Sequence, residues 1–348
     1  MQGDAIARRR PRAQRWLAAA TLVCAATLSS PSWALNIVLS NDDGFETANI
    51  RALYTKLKAA GHDVVLSAPT QNNSGKGGSM NFLVPVTPLT KDTRYGTVKA
   101  GAAGVGADPN DASIFYVDGT PVMSLLYGLD VVGAQRWNGQ PDLVISGPNE
   151  GSNLGMINAS SGTFNNAVYA VNRGIPAIAV SYAGTTGRSY TALADGAPEY
   201  EIADLVVKLV AQLETNKGSD GRLLPSGVGL NVNIPSFATG ASSSLQFKIS
   251  RMGLATDYQP VFYSKLSDSA NAVAFGAGVP YPGISILTKG STPPAGVVLP
   301  NDTAVSSESN MLATGVIPVT VFEGVPQGRR SNEDLVTIRL QSLLGAAN

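Results

Sequence analysis

The 348-residue chain reads as an α/β protein: a Rossmann-like, mostly parallel sheet with helices on both faces, followed by a C-terminal hairpin and helix extension. Three observations predict this. Short runs of β-branched and aliphatic residues alternate with stretches of helical periodicity, the order that builds βαβ units. The runs are apolar throughout, as strands covered on both faces are. Several stop abruptly in Asn, Asp, Ser and Gly, which delivers polar groups to the C-terminal edge of a parallel sheet, where open α/β sheets bind ligands.

In order along the chain, residues 1–34 read as a signal peptide, 35–235 as the Rossmann-like core and 236–348 as the extension. Arg8, Arg9, Arg10, Arg12 and Arg15 form a basic n-region, residues 16–28 a short apolar core, and Ser32-Trp33-Ala34 a cleavage site for a mature chain beginning at Leu35. The expected destination is periplasmic or extracellular, by the general secretory route, with no stable membrane anchor. The segment holds five of the 25 basic and one of the 25 acidic residues, so the mature chain carries 20 against 24, a net charge of −4. Without a basic stripe, duplex nucleic acid is not an expected partner. The only cysteine, Cys24, lies in the signal, which removes disulfides, thiolate nucleophiles and Cys-ligated metals from the mature protein.

The first strand spans residues 37–40 and runs into Asn41-Asp42-Asp43-Gly44. Adjacent carboxylates at a strand end repel unless a cation or a proton sits between them, which points to a hard divalent metal. An Asx-rich turn capping the next helix fits this stretch equally well. Residues 49–60 form an amphipathic helix with Ile50, Leu53, Tyr54 and Leu57 on one face, and 64–68 a second strand. Between them His62, the only histidine, occupies a turn and is expected to be exposed. Its solitude excludes mechanisms built on a His pair, and without a Gly-x-Ser-x-Gly elbow a Ser-His-Asp triad is nearly excluded too. Oxygen chemistry remains.

The second strand opens into Pro69-Thr70-Gln71-Asn72-Asn73-Ser74-Gly75-Lys76-Gly77-Gly78-Ser79, at the same edge as the aspartates. Residues 143–146 form another apolar strand, which opens into a turn presenting Asn149 and Asn153. Ser160-Ser161-Gly162-Thr163 precedes a helix over 164–173, an N-terminus suited to phosphate or simply an N-cap. Gly174-Ile175-Pro176 stops it, and 177–181 returns as a buried strand.

Taken together, Ser40-Asn41-Asp42-Asp43-Gly44, Ala68-Pro69 with Asn73-Ser74-Gly75, Ser146-Gly147 with Asn149, Gly151 and Asn153, Ser161-Gly162-Thr163, and Gly174 through Ser181 resemble the survival-protein SurE family. Leu230-Asn231-Val232-Asn233-Ile234-Pro235 resembles its next signature. The resemblance implies a metal-dependent phosphomonoesterase for nucleoside 5′- and 3′-monophosphates, or a broader acid phosphatase. It implies one divalent cation, Mg²⁺ or Mn²⁺, on Asp42, Asp43, Ser74 and Asn149, with Asn41 and Ser161, Gly162 and Thr163 beside the phosphate. Asp42 or Asp43 would take the proton of the attacking water. A homodimer or homotetramer is implied as well, through a hairpin and a helix exchanged between subunits.

The chain also departs from that pattern. Gly77-Gly78-Ser79 stands where relatives commonly carry Gly-His-Ser, and Tyr169 where they usually have a glutamate. A secreted phosphate- or nucleotide-binding protein without turnover is therefore a rival reading. An NAD-binding Rossmann protein is disfavoured, since two aspartates at the first turn would repel a pyrophosphate. From 236 to 300 the composition turns to Gly, Ser, Ala and Pro with apolar runs at 247–252 and 284–287, which predicts hairpins and long loops. Residues 334–344 read as the closing helix, with Leu335, Ile338, Leu343 and Leu344 as its apolar positions, and Asn310 stands near a position relatives fill with aspartate.

Overall fold

The computed structural model describes residue 1 and residues 34–184, 186–325 and 330–340; residues 2–33, with Cys24 and most of the expected signal segment, and the expected helix positions Leu343 and Leu344 lie outside the described residues. From Ala34 onward the chain forms a single folded unit. It begins with β1 (Asn36–Ser40), α1 (Ala48–Ala59) and β2 (Asp63–Pro69), each within one residue of its expected bounds. A segment to which the sequence assigned nothing follows: β3 (Val105–Asp108), β4 (Asp111–Val117), α2 (Pro121–Tyr127), a π-helical stretch (Gly128–Gly133) and α3 (Ala134–Trp137). Then come β5 (Leu143–Glu150), α4 (Gly162–Asn172), β6 (Ala177–Tyr182), α5 (Pro198–Thr215) and β7 (Val228–Ile234). The remainder holds β8 (Phe247–Ser250), β9 (Tyr258–Tyr263), α6 (Ala270–Ala274), β10 (Gly283–Thr288), α7 (Glu308–Leu312), β11 (Ile317–Glu323) and α8 (Arg330–Arg339).

Nine strands form one sheet in the order β3-β4-β2-β1-β5-β6-β7-β11-β8. It is parallel from β4 through β7 and again between β11 and β8; β3 against β4 and β11 against β7 are antiparallel. The period-2 geometry of a strand divides the core. Ile37 and Leu39 of β1 and Leu143 and Ile145 of β5 point into the larger core with α1 and α5, whereas Val38 and Val144 point into the smaller one with α4. Fully burying one such side chain is worth about 1.5–3 kcal/mol, so a one-residue slip of β1 would lose several at once.

Three expectations are corrected. His62 is buried, not exposed: its Nδ1 accepts the Leu35 N–H at 3.3 Å, and Glu214 lies 3.9 Å from Nε2. The end of α5, which the sequence reading did not assign, covers it. The run at 247–252 makes no hairpin, because β8 joins the main sheet in parallel beside β11. The run at 284–287 does form one, β10 pairing antiparallel with β9. The closing helix starts four residues early, at Arg330, and Leu335 and Ile338 are exposed. Among the described residues no helix is long and apolar enough to cross a membrane.

Candidate active site

The turn after β1 delivers Asp42 and Asp43, both almost fully buried, to the C-terminal edge of the sheet. Gly44 closes it at φ 115°, a region that disfavours any side chain. Asn41 is the clasp: its Oδ1 accepts the Gly44 N–H at 3.1 Å, and its Nδ2 donates to Gly44 O at 3.1 Å and Thr47 Oγ1 at 3.2 Å. Both amide N–H bonds are thereby used, which leaves none for an anion. The side chain that the resemblance sets beside a phosphate thus shapes the turn.

Asn149 comes from the adjacent strand, where the β5–β6 register shifts between Ser146 and Asn149. α4 comes from the smaller core and meets both. The Thr163 hydroxyl lies 2.6 Å from Asp42 Oδ1 and 3.1 Å from Asn149 Oδ1; its single proton goes to the nearer, charged oxygen. The backbone N–H groups of Gly162 and Thr163 also favour the ionised Asp42, although burial dominates and raises its pKa. Gly162 permits this approach, since a Cβ there would stand 2.6 Å from that of Asp42 and 2.7 Å from Pro121 Cγ. Ser161 caps the helix, accepting the Phe164 N–H at 3.1 Å. The N-terminus of α4, beside which the resemblance sets the phosphate, meets Asp42.

Asp43 is the least satisfied group of the set. Its Oδ2 accepts the Glu150 N–H at 3.0 Å, but Oδ1 is buried with no hydrogen-bond partner among the described residues. Burial, then the neighbouring Asp42 and Glu150 carboxylates, push its pKa well above the usual range. Such an oxygen fits a cation, which would supply the missing partner and remove the repulsion. Among the described residues no cluster of three or more His, Cys, Asp or Glu could hold a metal. The candidate donors are instead a mixed, all-oxygen set suited to Mg²⁺, Mn²⁺ or Ca²⁺. The family resemblance adds Ser74 to that set as an expectation. Its loop is pinned to the site by the Asn73 N–H on Asp42 O at 2.7 Å and the Gly77 N–H on Ser160 O at 3.0 Å. Ser74 itself is exposed, and no hydrogen bond among the described residues joins its hydroxyl to Asp42, Asp43 or Asn149.

Several contributors escaped the sequence reading. Arg94 Nη1 donates to Asp43 O at 2.8 Å, and Nη2 pairs with Glu150 Oε2 at 3.0 Å. Glu308, fully buried on α7, accepts from Gly155 N at 2.6 Å, Thr320 Oγ1 at 2.8 Å, Asn231 Nδ2 at 3.0 Å and Asn158 Nδ2 at 3.2 Å. It thereby anchors the loop leading into α4. No local pattern marks either residue, because each reaches the site from a distant part of the chain. The two departures meet: Tyr169 Oη lies 3.4 Å from Gly78 O, and a Cβ on Gly78 would stand 3.1 Å from the Tyr169 ring. Asn310 is occupied elsewhere, donating to Asp302 O and Ala304 O at 2.9 Å.

This arrangement has counterparts among known proteins. An acid phosphatase of Yarrowia lipolytica is 37% identical over 243 residues, covering 68% of this chain and 64% of that protein. A 5′-nucleotidase SurE of Methanocella arvoryzae is 34% identical over 217 residues, covering 62% and 72%. In fold, the chain is similar to the crystal structure of the SurE protein from Aquifex aeolicus, with a TM-score of 0.60 at 24% identity over 87% of this chain and 99% of that one. The family model described as Survival protein SurE matches residues 37–258, a span that contains Asp42, Asp43, Asn149 and α4. By that match, with the paired aspartates at the edge of β1 and Asn149 on the adjacent strand inside the matched span, the chain belongs to the SurE family.

Proposed function

We propose that the chain hydrolyses phosphomonoesters, nucleoside 5′- and 3′-monophosphates among them, with one divalent cation, Mg²⁺ or Mn²⁺, held by Asp42, Asp43, Asn149 and Ser74. The observation that carries this is the orphaned, buried Asp43 Oδ1 beside a second carboxylate. When bound, the cation supplies Lewis acidity towards the phosphoryl group and the attacking water. The residues divide the remaining work. Asp42, its Oδ1 fixed by the Thr163 hydroxyl, serves as a ligand, while Asp43, with no hydroxyl or helix N-terminus bonded to its carboxylate, is the group to accept the proton of the water. Glu308 and the α4 N-terminus hold these groups in register.

The protein is further read as exported and homo-oligomeric. Phe262, Ile284 and Ile286 lie exposed on the β9–β10 hairpin, whose opposite side buries Val261, Tyr263 and Leu287, and such a two-stranded sheet is marginal alone. One preparation tests all three readings. Phosphate release from AMP and p-nitrophenyl phosphate should require Mg²⁺ or Mn²⁺, disappear with EDTA, and fall at least about 100-fold in Asp43→Asn. Intact mass should place the exported chain's start at Leu35, and sedimentation should give more than a monomer. Phosphate binding without metal-dependent release would instead make this a binding protein.

A further inference from the structure

A phosphomonoester dianion must be met by donors, and most of those assigned to it are engaged elsewhere. The Asn41 amide closes its turn, while the Thr163 hydroxyl and the N–H groups of Gly162 and Thr163 serve Asp42. Ser161 Oγ accepts from Phe164, which leaves its own O–H as the remaining donor of that group. Charge is also unbalanced. Asp42, Asp43 and Glu150 together with a divalent cation leave the edge one negative charge in excess before a dianion arrives.

Arg94 is the cation built into this edge. Its turn is fixed by Glu46, a buried carboxylate that accepts the Thr97 N–H at 2.7 Å, the Tyr95 N–H at 2.8 Å and the Thr93 hydroxyl at 2.9 Å. The Arg94 N–H donates to Thr70 O at 2.9 Å, and Val98 packs into the larger core. α4 belongs to the smaller core, so the aspartates stand between two layers, with Thr163 supplied from one and Arg94 from the other. The guanidinium bonds Asp43 O and Glu150 and lies over the Tyr95 ring at 5.1 Å. The side chain remains 21% exposed, and at least two of its five N–H bonds have no partner among the described residues.

We propose that Arg94 contacts the substrate: its open guanidinium edge takes a non-bridging oxygen of the phosphoryl group, and Glu150 is the counter-charge that holds it in place beforehand. This rests on the phosphomonoesterase reading above. A planar fork matches a phosphoryl group in shape as well as charge, which a flexible ammonium does not.

The test is calorimetric binding of inorganic phosphate in saturating Mn²⁺, beside KM and kcat for p-nitrophenyl phosphate. Arg94→Gln should weaken phosphate binding and raise KM by about 10- to 100-fold, with Mn²⁺ affinity not reduced. Arg94→Lys should fall between, and it carries the test if the Gln variant fails to fold. Because Glu150 acts through Arg94, Glu150→Gln should change phosphate binding by a factor that differs several-fold between the natural and the Arg94→Gln backgrounds. Phosphate binding in Arg94→Gln equal to that of the natural protein, or a Glu150→Gln effect equal in both backgrounds, overturns the proposal. If the natural protein hydrolyses and binds phosphate while Arg94→Gln changes neither, only Arg94 has been misassigned. If the natural protein does neither, the phosphomonoesterase reading fails and this one with it.

Discussion

A buried carboxylate oxygen with nothing to accept from is costly to the folded state, and Asp43 Oδ1 is in that position. The folded pKa of Asp43 lies well above its unfolded value, so without metal this residue's contribution to stability falls as pH rises from the ordinary carboxylate range upward. A divalent cation reverses the sign by competing with the proton. The Mn²⁺-induced rise in Tm should therefore be small near pH 4 and grow towards pH 7, with proton release on binding. Asp43→Asn should melt higher than the natural protein without metal at pH 7 and lose most of the Mn²⁺ response. A Mn²⁺ response independent of pH would sink this account. At this scale the sequence is informative where a residue follows an apolar run: Asp42, Asp43 and Asn149 were legible because a buried strand that stops in carboxylates or amides has a reason to. For Asn41 the sequence is less informative, because an amide that closes a turn and one that faces a ligand look alike in it. His62 was misplaced because the element covering it, α5, went unassigned.

Elements decide how closely these residues approach. α4 reaches Asp42 only because Gly162 lacks a Cβ, and a helix N-terminus set against a carboxylate stabilises its charge. Gly162→Ala should push α4 away from Asp42, cost about 1–3 kcal/mol by overpacking, and weaken Mn²⁺ binding about tenfold or more. Thermal melting and metal titration of the same variant check both effects; stability lost with metal affinity intact would separate the helix from the site. The strands β1, β2, β5 and β6 were legible because their runs are apolar on both faces, whereas β7 went unassigned because Asn231 and Asn233 interrupt its apolar run. Nor was the segment from β3 to α3 legible: the first half of β4, Asp111-Ala112-Ser113, is partly buried or exposed and not strongly apolar, and only its second half reaches the core, so its hydrophobic signal is diluted. The Arg94 turn has no signal of its own, because Glu46, from a different part of the chain, fixes its conformation.

The whole molecule is tied together where the C-terminal segment meets the site loop. β8 and β11 complete the sheet, so residues beyond 235 are structural partners of the core and not an appendage, and Glu308 fastens them to Gly155 and Asn158. Burial outweighs its four donors and raises its pKa from 4.5 to about 7. Because the folded value is the higher one, stability from this group is greatest below about pH 4.5 and is lost as pH rises to 7, by roughly 3 kcal/mol at most. Glu308→Gln removes the titration without removing the side chain's reach. An amide nitrogen in place of Oε2 can donate to the Thr320 hydroxyl, whose own proton can turn to Ser250 Oγ, 2.7 Å away. The variant should therefore match or fall below the natural protein in Tm at pH 5 and exceed it at pH 8. A constant difference in Tm across that range would mean that Glu308 is ionised throughout, held by its four donors, and that burial does not govern it.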